Sequence, residues 1–160
     1  MERHAVSLTP RVIVTFVASI LGLGVSIYLT LAHYTNAVSL TCPLGGTGHF
    51  IDCGKVTSSA ESVVFGIPVA VLGLAFFVPM IVLLSPWAWA SAHRYVAPVR
   101  LGMSIVSIGF ISYLLYSELY TIHSICIWCT AVHILSFIIF VGVITGWDEA
   151  IAPRTGAKHS

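Results

Sequence analysis

The sequence predicts an all-α membrane protein in which four transmembrane helices form a bundle and both termini lie in the cytoplasm. Of the 160 residues, 58% are hydrophobic and only 8% are charged, and the mean hydropathy is +0.98, whereas soluble domains carry about 25% charged residues. Four long stretches carry no charge, and nearly all lysines and arginines fall on one predicted side of them. The formal net charge of +1 gives no indication of a nucleic-acid partner.

Each uncharged stretch is close to the length of a membrane-crossing helix, because roughly 20 residues at 1.5 Å each cover a hydrocarbon core of about 30 Å. The fourth stretch has 29 residues, so we expect a turn before its helix. Pro68 and Pro79 are expected inside the second span, where neighbouring helices can satisfy the freed carbonyls. The predicted spans are 12–32, 62–85, 101–117 with an extension to 120, and about 125–144.

The basic residues predict the orientation, because cytoplasmic loops carry an excess of lysine and arginine. Only Lys55 falls in an outer loop. The predicted organisation is therefore a cytoplasmic tail at 1–11, a membrane domain at 12–145 with an outer loop at 34–61, and a second cytoplasmic tail at 146–160. The six basic residues on the predicted cytoplasmic side are Arg3, Arg11, Arg94, Arg100, Arg154 and Lys158.

All four cysteines fall on the predicted outer side. Cys42 and Cys53 lie in the outer loop, and Cys126 and Cys129 lie at the outer end of the fourth span. Disulfides persist in a bacterial periplasm or an ER-like lumen, whereas the cytosol keeps thiols reduced. A purely structural Cys42–Cys53 bridge is an open alternative, since closing this loop is worth about 3 kcal/mol in the chain-entropy model.

The Cys126–Cys129 pair has the features of a reactive dithiol. Its two-residue spacer gives little entropic stabilisation, and strained bridges are the exchangeable ones. If the fourth helix begins near Ile125, Cys126 lies in its first turn, where free N–H groups and the helix dipole stabilise a thiolate. Cys129 lies nearly one turn deeper. The pair can therefore pass electrons between the aqueous side and a compound dissolved in lipid.

Ser58 and Glu61 have the spacing of a capping box, which predicts that the second helix begins at the outer surface close to Cys53. A helix cap is the simplest role for Ser58. Ser59 and Ser62 are either part of the same cap region or present their hydroxyls to a ligand.

His133 lies on the same helical face as Cys129 and inside the predicted bilayer. Intramembrane ionisable residues are functional candidates, although a hydrogen bond to a neighbouring helix is an alternative. Trp128 is either an interfacial anchor or a wall of a cavity. Glu118 is expected as an exposed carboxylate at the end of the third span, and His49 and His123 as solvated loop residues.

Two stretches, "YLLYSELYTIHSICIWCTAVH" and "CGKVTSSAESVVFGIPVAVLGL", together with Cys42, resemble the bacterial homologues of vitamin K epoxide reductase. The resemblance covers about residues 12–145. It rests on four cysteines in order, the Cys-x-x-Val-x-x-Ser element at 53–59, the Phe-Gly-Ile-Pro turn that begins at Phe65, and Glu118.

The resemblance implies a bundle around a quinone, either menaquinone or ubiquinone, in a bacterial plasma membrane. It implies a DsbB-like role in disulfide bond formation, in which Cys42 and Cys53 exchange electrons with a separate DsbA-type thioredoxin-fold partner. Cys126 then accepts electrons from the loop and Cys129 faces the quinone. Ser59 matches an active-site serine of the family, and the remaining candidate quinone contacts are Ser62, Phe65, Trp128 and His133.

The sequence departs from the family pattern at several positions. The loop between Cys42 and Cys53 is longer than expected and rich in glycine. An asparagine and a tyrosine that bond the quinone in animal enzymes correspond to Ser62 and His133, which disfavours epoxide reduction but leaves quinone reduction open. A thioredoxin domain, fused in many relatives, is not expected here. Alternatives are reduction of an epoxide or another quinone derivative, a metal-binding protein, and a non-catalytic protein with two structural disulfides.

Overall fold

The computed structural model describes residues 9–35, 42, 51–90 and 95–147, and four apolar helices form its body. Pro10 begins the first helix, a position that suits proline because the first amides of a helix have no partner within it. The helices are α1 (Pro10–Tyr34), α2 (Cys53–Thr57), α3 (Val69–Leu84), α4 (Pro86–Ala90), α5 (Val96–Tyr116) and α6 (Ile127–Thr145).

Within the described residues, three helices are long and apolar enough to cross a membrane: Pro10–Tyr34, Val96–Ile122 and Ile127–Thr145. They match the first, third and fourth predicted spans, so the prediction of a mostly helical protein with several membrane-crossing helices is confirmed. α3 has only 16 residues, with Pro79 in its interior. At 1.5 Å per residue it is about 24 Å long, against about 30 Å for the hydrocarbon core. A fourth crossing stays a prediction.

The expected start of the second helix was wrong. Ser58 and Glu61 do not form a capping box, because Ser58 ends α2 and its Oγ donates to the Gly54 carbonyl at 2.7 Å. Glu61 lies in the 3₁₀ turn Ala60–Ser62. The apolar helix starts only at Val69.

A β-hairpin occupies the residues that were expected to form the first turns of this helix. Strands β1 (Val63–Val64) and β2 (Ile67–Pro68) pair antiparallel around Phe65 and Gly66. Both turn residues have positive φ, 53° and 79°, and glycine provides that conformation without a steric cost. Pro68 was predicted to lie within the second helix, but it is the N-cap residue of α3. The β-branched residues and the glycine together favour the hairpin over a longer helix.

α1 packs along α3 and α6, α5 packs against α6, and α3 touches α5 only sparingly. Glycines allow the close approaches: a Cβ on Gly22 would collide with the Phe77 ring, and one on Gly142 would collide with Thr15. Close packing at small residues is typical of membrane helices. The main core cluster consists of Ala18, Phe77, Met80, Leu84, Ile139 and Val143.

The described basic residues divide between the two ends of the bundle, with Arg11 and Arg100 at one end and Lys55 at the other. Arg11 donates to the Thr145 carbonyl at 3.1 Å, and Arg100 lies 3.5 Å from the centroid of the Trp89 ring. Both lie far from Cys126, which begins α6, whereas Lys55 lies beside it in the fold. Most of the predicted tails and of the outer loop lie outside the described residues, and so does the segment 91–94 between α4 and α5. The residues concerned include Arg3, His49, Arg94, Arg154 and Lys158.

We predict that Gly22→Ala destabilises the contact between α1 and α3. The added methyl must displace Phe77, which is fully buried, and overpacking of this kind costs about 1–3 kcal/mol. The measurement is thermal unfolding of the purified protein in detergent. Gly24→Ala is the matched control, because no described atom outside its own stretch of helix backbone lies within 4 Å of its new methyl. Equal melting temperatures for the two variants would contradict the assigned packing.

Candidate active site

The reactive pair is built at the start of α6. Cys126 is the N-cap residue, with φ −99° and ψ 117°, and its Sγ accepts a hydrogen bond from the Cys129 backbone N–H at 3.4 Å. The helix thus begins two residues later than predicted, and Cys126 precedes the first turn. Cys126 is fully buried, whereas Cys129 is half-buried, and both are free thiols.

The surroundings of Cys126 favour its thiolate, in the direction that the sequence predicts. The hydrogen bond from the Cys129 thiol is the largest influence, and together with the backbone N–H groups of Cys129 and Trp128 it lowers the pKa of Cys126. Burial and the Glu118 carboxylate act in the opposite direction without reversing the shift. A thiolate is the nucleophile in disulfide exchange. Cys126 is therefore suited to react with a disulfide.

The loop cysteines form a Cys42–Cys53 disulfide with Cα atoms 6.0 Å apart. Cys53 begins α2 and is 2% exposed. It belongs to the same buried cluster as Cys126, and Cys42 and Cys129 pack against that cluster. The structure therefore brings all four cysteines together at one end of the bundle.

Backbone and side-chain contacts hold the loop in this position. The Asp52 N–H donates to the Ile125 carbonyl at 3.3 Å, and a parallel bridge joins Ile51 to Ile125. Lys55 Nζ donates to the Ile122 carbonyl at 2.9 Å and to Ser124 Oγ at 3.2 Å. Since residues 122–125 lead directly into Cys126, these contacts fix α2 beside the reactive pair.

A cavity of about 320 Å³ lies under the cysteines, between α3 and α5. This volume falls within the range of about 300–1,000 Å³ that is typical of small-molecule sites. Its wall is mostly apolar and is formed by α1, α3, α5, α6 and residues 56–62. Cys129 lines the cavity and Cys126 does not, so only one residue of the pair is placed to contact a molecule bound there.

The structure brings three of the predicted ligand contacts to this wall: Ser59, Ser62 and His133. The hydroxyl of Ser59 lies 2.8 Å from the Val56 carbonyl, and that of Ser62 lies 2.6 Å from the Ser59 carbonyl. Both hydroxyl protons are thus directed to the backbone. Phe65 and Trp128 are not on the wall formed by the described residues: Phe65 is fully exposed at the hairpin turn, and Trp128 packs against Tyr28 with ring centroids 5.0 Å apart.

Glu118 differs most from its expected placement. It was expected as a solvated carboxylate at the end of a helix, but it is only 4% exposed. The reason is that the helix continues beyond Tyr116 as a π-helical turn over Ser117–Ile122, and this turn places Glu118 on the cavity wall. Its Oε2 has no hydrogen-bond partner among the described residues, and the same holds for His133 Nδ1. The signal for Glu118 was present in the sequence, since an ionisable residue between apolar stretches is a functional candidate. His123 is exposed, as expected.

The family model for the vitamin K epoxide reductase family matches residues 13–144, most of the chain. The chain belongs to the vitamin K epoxide reductase family. Membership indicates a multi-pass membrane oxidoreductase of a family that uses quinone-type redox partners. A comparison with curated proteins found no match.

The cavity suits the quinone that this family implies. A quinone has a flat apolar ring and two carbonyl oxygens, and here an apolar wall carries one thiol and two buried polar atoms that have no partner among the described residues. Buried polar atoms are seldom left unpaired, so a ligand with two oxygens is a reasonable match. The described residues contain no group of three His, Cys, Asp or Glu side chains that could hold a metal ion.

We predict that the Cys129 thiol is the largest single cause of the lowered pKa of Cys126. The test uses a chain that also carries Cys42→Ala and Cys53→Ala. When Cys129 is replaced as well, Cys126 is the only remaining thiol, and its thiolate absorbance can be followed against pH. Cys129→Ser retains a hydroxyl donor, so its Cys126 should ionise at lower pH than in Cys129→Ala. Identical titration midpoints in the two variants would show that the Cys129 side chain has no part in the shift.

Proposed function

We propose that this protein oxidises the dithiol of an extracytoplasmic, DsbA-type thioredoxin-fold protein and passes the electrons to a membrane quinone, in support of disulfide bond formation. One observation carries the proposal. The Cys42–Cys53 disulfide and the free Cys126–Cys129 dithiol meet in one cluster, and of these four cysteines only Cys129 lines an apolar cavity. A purely structural role for four cysteines would not require this order of positions.

The proposed relay consists of two thiol–disulfide exchanges. The partner's dithiol reduces the Cys42–Cys53 disulfide and becomes a disulfide itself. The loop dithiol then reduces the Cys126–Cys129 disulfide. Each exchange moves two electrons, and each breaks one S–S bond as it forms another.

The positions of the sulfurs favour one assignment within this relay. Cys53 is buried in the same cluster as Cys126, whereas Cys42 is half-buried at its edge. We therefore assign Cys53 to the bond with Cys126, and Cys42 to the bond with the partner. The described arrangement, with an oxidised loop and a reduced Cys126–Cys129 pair, is the state that precedes transfer to the quinone.

A bound quinone, menaquinone or ubiquinone, supplies an acceptor for two electrons and two protons. Cys129 is the residue that delivers electrons, because it alone of the four cysteines lies on the wall. His133 lies one helical turn deeper on the same wall, and its Nδ1 has no partner within the part of the chain that the structure describes, so it can donate a hydrogen bond to a quinone carbonyl. Ser59 and Ser62 already donate to backbone carbonyls, which favours His133 over either serine in this role.

The proposed location is a bacterial plasma membrane with the cysteines on the outer side. The positions of Arg11 and Arg100 at one end of the bundle, with Lys55 at the other, support this orientation through the positive-inside rule.

The relay is tested by the Cys129→Ala variant. Without Cys129 the mixed disulfide formed by Cys126 and a loop cysteine cannot resolve, so a Cys53–Cys126 disulfide should accumulate and quinone reduction should stop. The measurement is peptide mapping of non-reduced protein after incubation with the oxidised form of a thioredoxin-fold oxidase, which accepts the two electrons that a Cys53–Cys126 bond releases when both sulfurs start as thiols. Cys42→Ala in the same background should preserve this bond, and Cys53→Ala should abolish it. A Cys42–Cys126 bond would reverse the assignment, and the absence of any bond would count against the relay.

His133→Phe keeps the bulk of the side chain and removes its hydrogen-bond donor. Loss of a pre-placed donor in a dry site typically slows the reaction about 10²–10³-fold. We expect slower oxidation of the Cys126–Cys129 dithiol by ubiquinone-1 or menadione, with normal exchange between the loop pair and its partner. Ser62→Ala is the comparison and should have a smaller effect. Full activity of both variants would place the donor elsewhere.

A further inference from the structure

Given the proposed function, on which this inference rests, reduction of the quinone consumes two electrons and two protons. The Cys126–Cys129 dithiol can supply all four as its two S–H bonds break and one S–S bond forms. Cys129 lies on the cavity wall and can deliver its own proton directly. Cys126 is fully buried and does not line the cavity. Its proton therefore reaches a bound quinone only through another group on the wall.

Glu118 is positioned as that group. Its carboxyl group lines the cavity, and its charge acts directly on Cys126, where it opposes the fall in the pKa of that thiol. The π-helical turn also contains Ile122, which belongs to the buried cluster of Cys53 and Cys126. Glu118 thus lines the cavity and lies near enough to the buried sulfur for its charge to act on that sulfur.

The lack of a partner at Glu118 Oε2 is the second observation. A carboxyl group that is 4% exposed and leaves an oxygen unpaired among the described residues costs stability unless another group engages that oxygen. Lys55, a described cation at the same end of the bundle, donates to the Ile122 carbonyl and Ser124 Oγ instead. A structural role in an ion pair is therefore not visible, whereas proton exchange with a bound molecule explains why the oxygen is free.

Other ionisable groups on the wall fit the role less well. His33 is exposed and Glu61 is partly exposed, so both can exchange protons with water. His133 is buried but lies about one turn deeper than Cys129, on the side away from Cys126.

We propose that Glu118 is a catalytic residue that takes the proton of Cys126 and transfers it to one oxygen of the quinone, while Cys129 provides the proton for the other. In this scheme the Glu118 carboxylate first becomes a carboxylic acid and Cys126 a thiolate. Formation of the Cys126–Cys129 bond then releases two electrons to the quinone. The two S–H bonds are replaced by two O–H bonds, and Glu118 returns to a carboxylate.

The kinetic test uses the full-length protein, reduced and then mixed rapidly with ubiquinone-1 or menadione. Glu118→Gln keeps the shape of the side chain but cannot carry the proton. Proton transfer by a positioned side chain typically raises a reaction rate about 10²–10⁴-fold. In Glu118→Gln, formation of the Cys126–Cys129 disulfide should therefore slow by at least about 10²-fold. The quinone concentration that gives half the maximal rate should change little. Glu118→Asp keeps the carboxyl group and should recover part of the rate. Tyr120→Phe removes a different ionisable proton near the same end of the bundle, from an exposed side chain, and should react as the unmodified protein does.

A second measurement needs no quinone. Infrared difference spectra of the oxidised and reduced Cys126–Cys129 pair should contain the C=O stretch of a protonated carboxyl group that forms on reduction. The band should vanish in Glu118→Gln and persist in Glu61→Gln. A merely structural glutamate would not produce this signal.

The outcomes separate this inference from the proposed function. If the unmodified protein does not reduce either quinone, the proposed function fails. If it does, and Glu118→Gln reacts at the unmodified rate or the infrared band persists in that variant, then only the role of Glu118 is overturned. Should Glu118→Gln be unstable, loss of the band in Glu118→Asp together with a full rate would equally refute the proposal.

Discussion

The docking of residues 51–55 on residues 122–125 is the interaction on which the rest of the site depends. A backbone hydrogen bond from Asp52 to Ile125 and two bonds from Lys55 Nζ join a loop to the turn before α6. Without them, Cys53 would be tethered to Cys126 only through long connections, and loop closure would oppose their encounter. With them, two cysteine pairs far apart in sequence share one buried cluster. The bonds from Lys55 also place a cation beside the only turn that leads into the reactive pair.

The different positions of Cys126 and Cys129 give the two sulfurs different roles. Cys126 caps α6 and accepts a hydrogen bond from Cys129, so its charge is stabilised although it is removed from water. Cys129 lies within the first turn of the helix and reaches the cavity wall. A shift of three residues along one helix therefore separates a sulfur that meets a disulfide from a sulfur that meets an apolar ligand.

The cavity exists because α3 is short and contacts α5 sparingly. The hairpin at 63–68 takes up residues that would otherwise extend α3, while α1 holds both α3 and α6 through close contacts at small residues. The space left between α3 and α5 is lined by apolar side chains, in which unpaired polar atoms are costly. Glu118 Oε2 and His133 Nδ1 are two such atoms among the described residues. Their presence at the wall is consistent with a ligand that forms hydrogen bonds with them.

The sequence by itself determined the class of the protein and the order of its cysteines. Uncharged stretches predict membrane helices because the bilayer requires length and apolarity, and both are local properties of the chain; three of the four predicted spans appear as helices of sufficient length. Similarity across residues 13–144 adds the family. Tertiary structure alone decided where the second helix begins, since Ser58 and Glu61 satisfy a local capping pattern that hairpin formation overrides. It also decided the burial of Glu118, because the direction of a side chain at the end of α5 depends on a π-helical turn and on the neighbouring helices, neither of which leaves a periodic signal in the sequence.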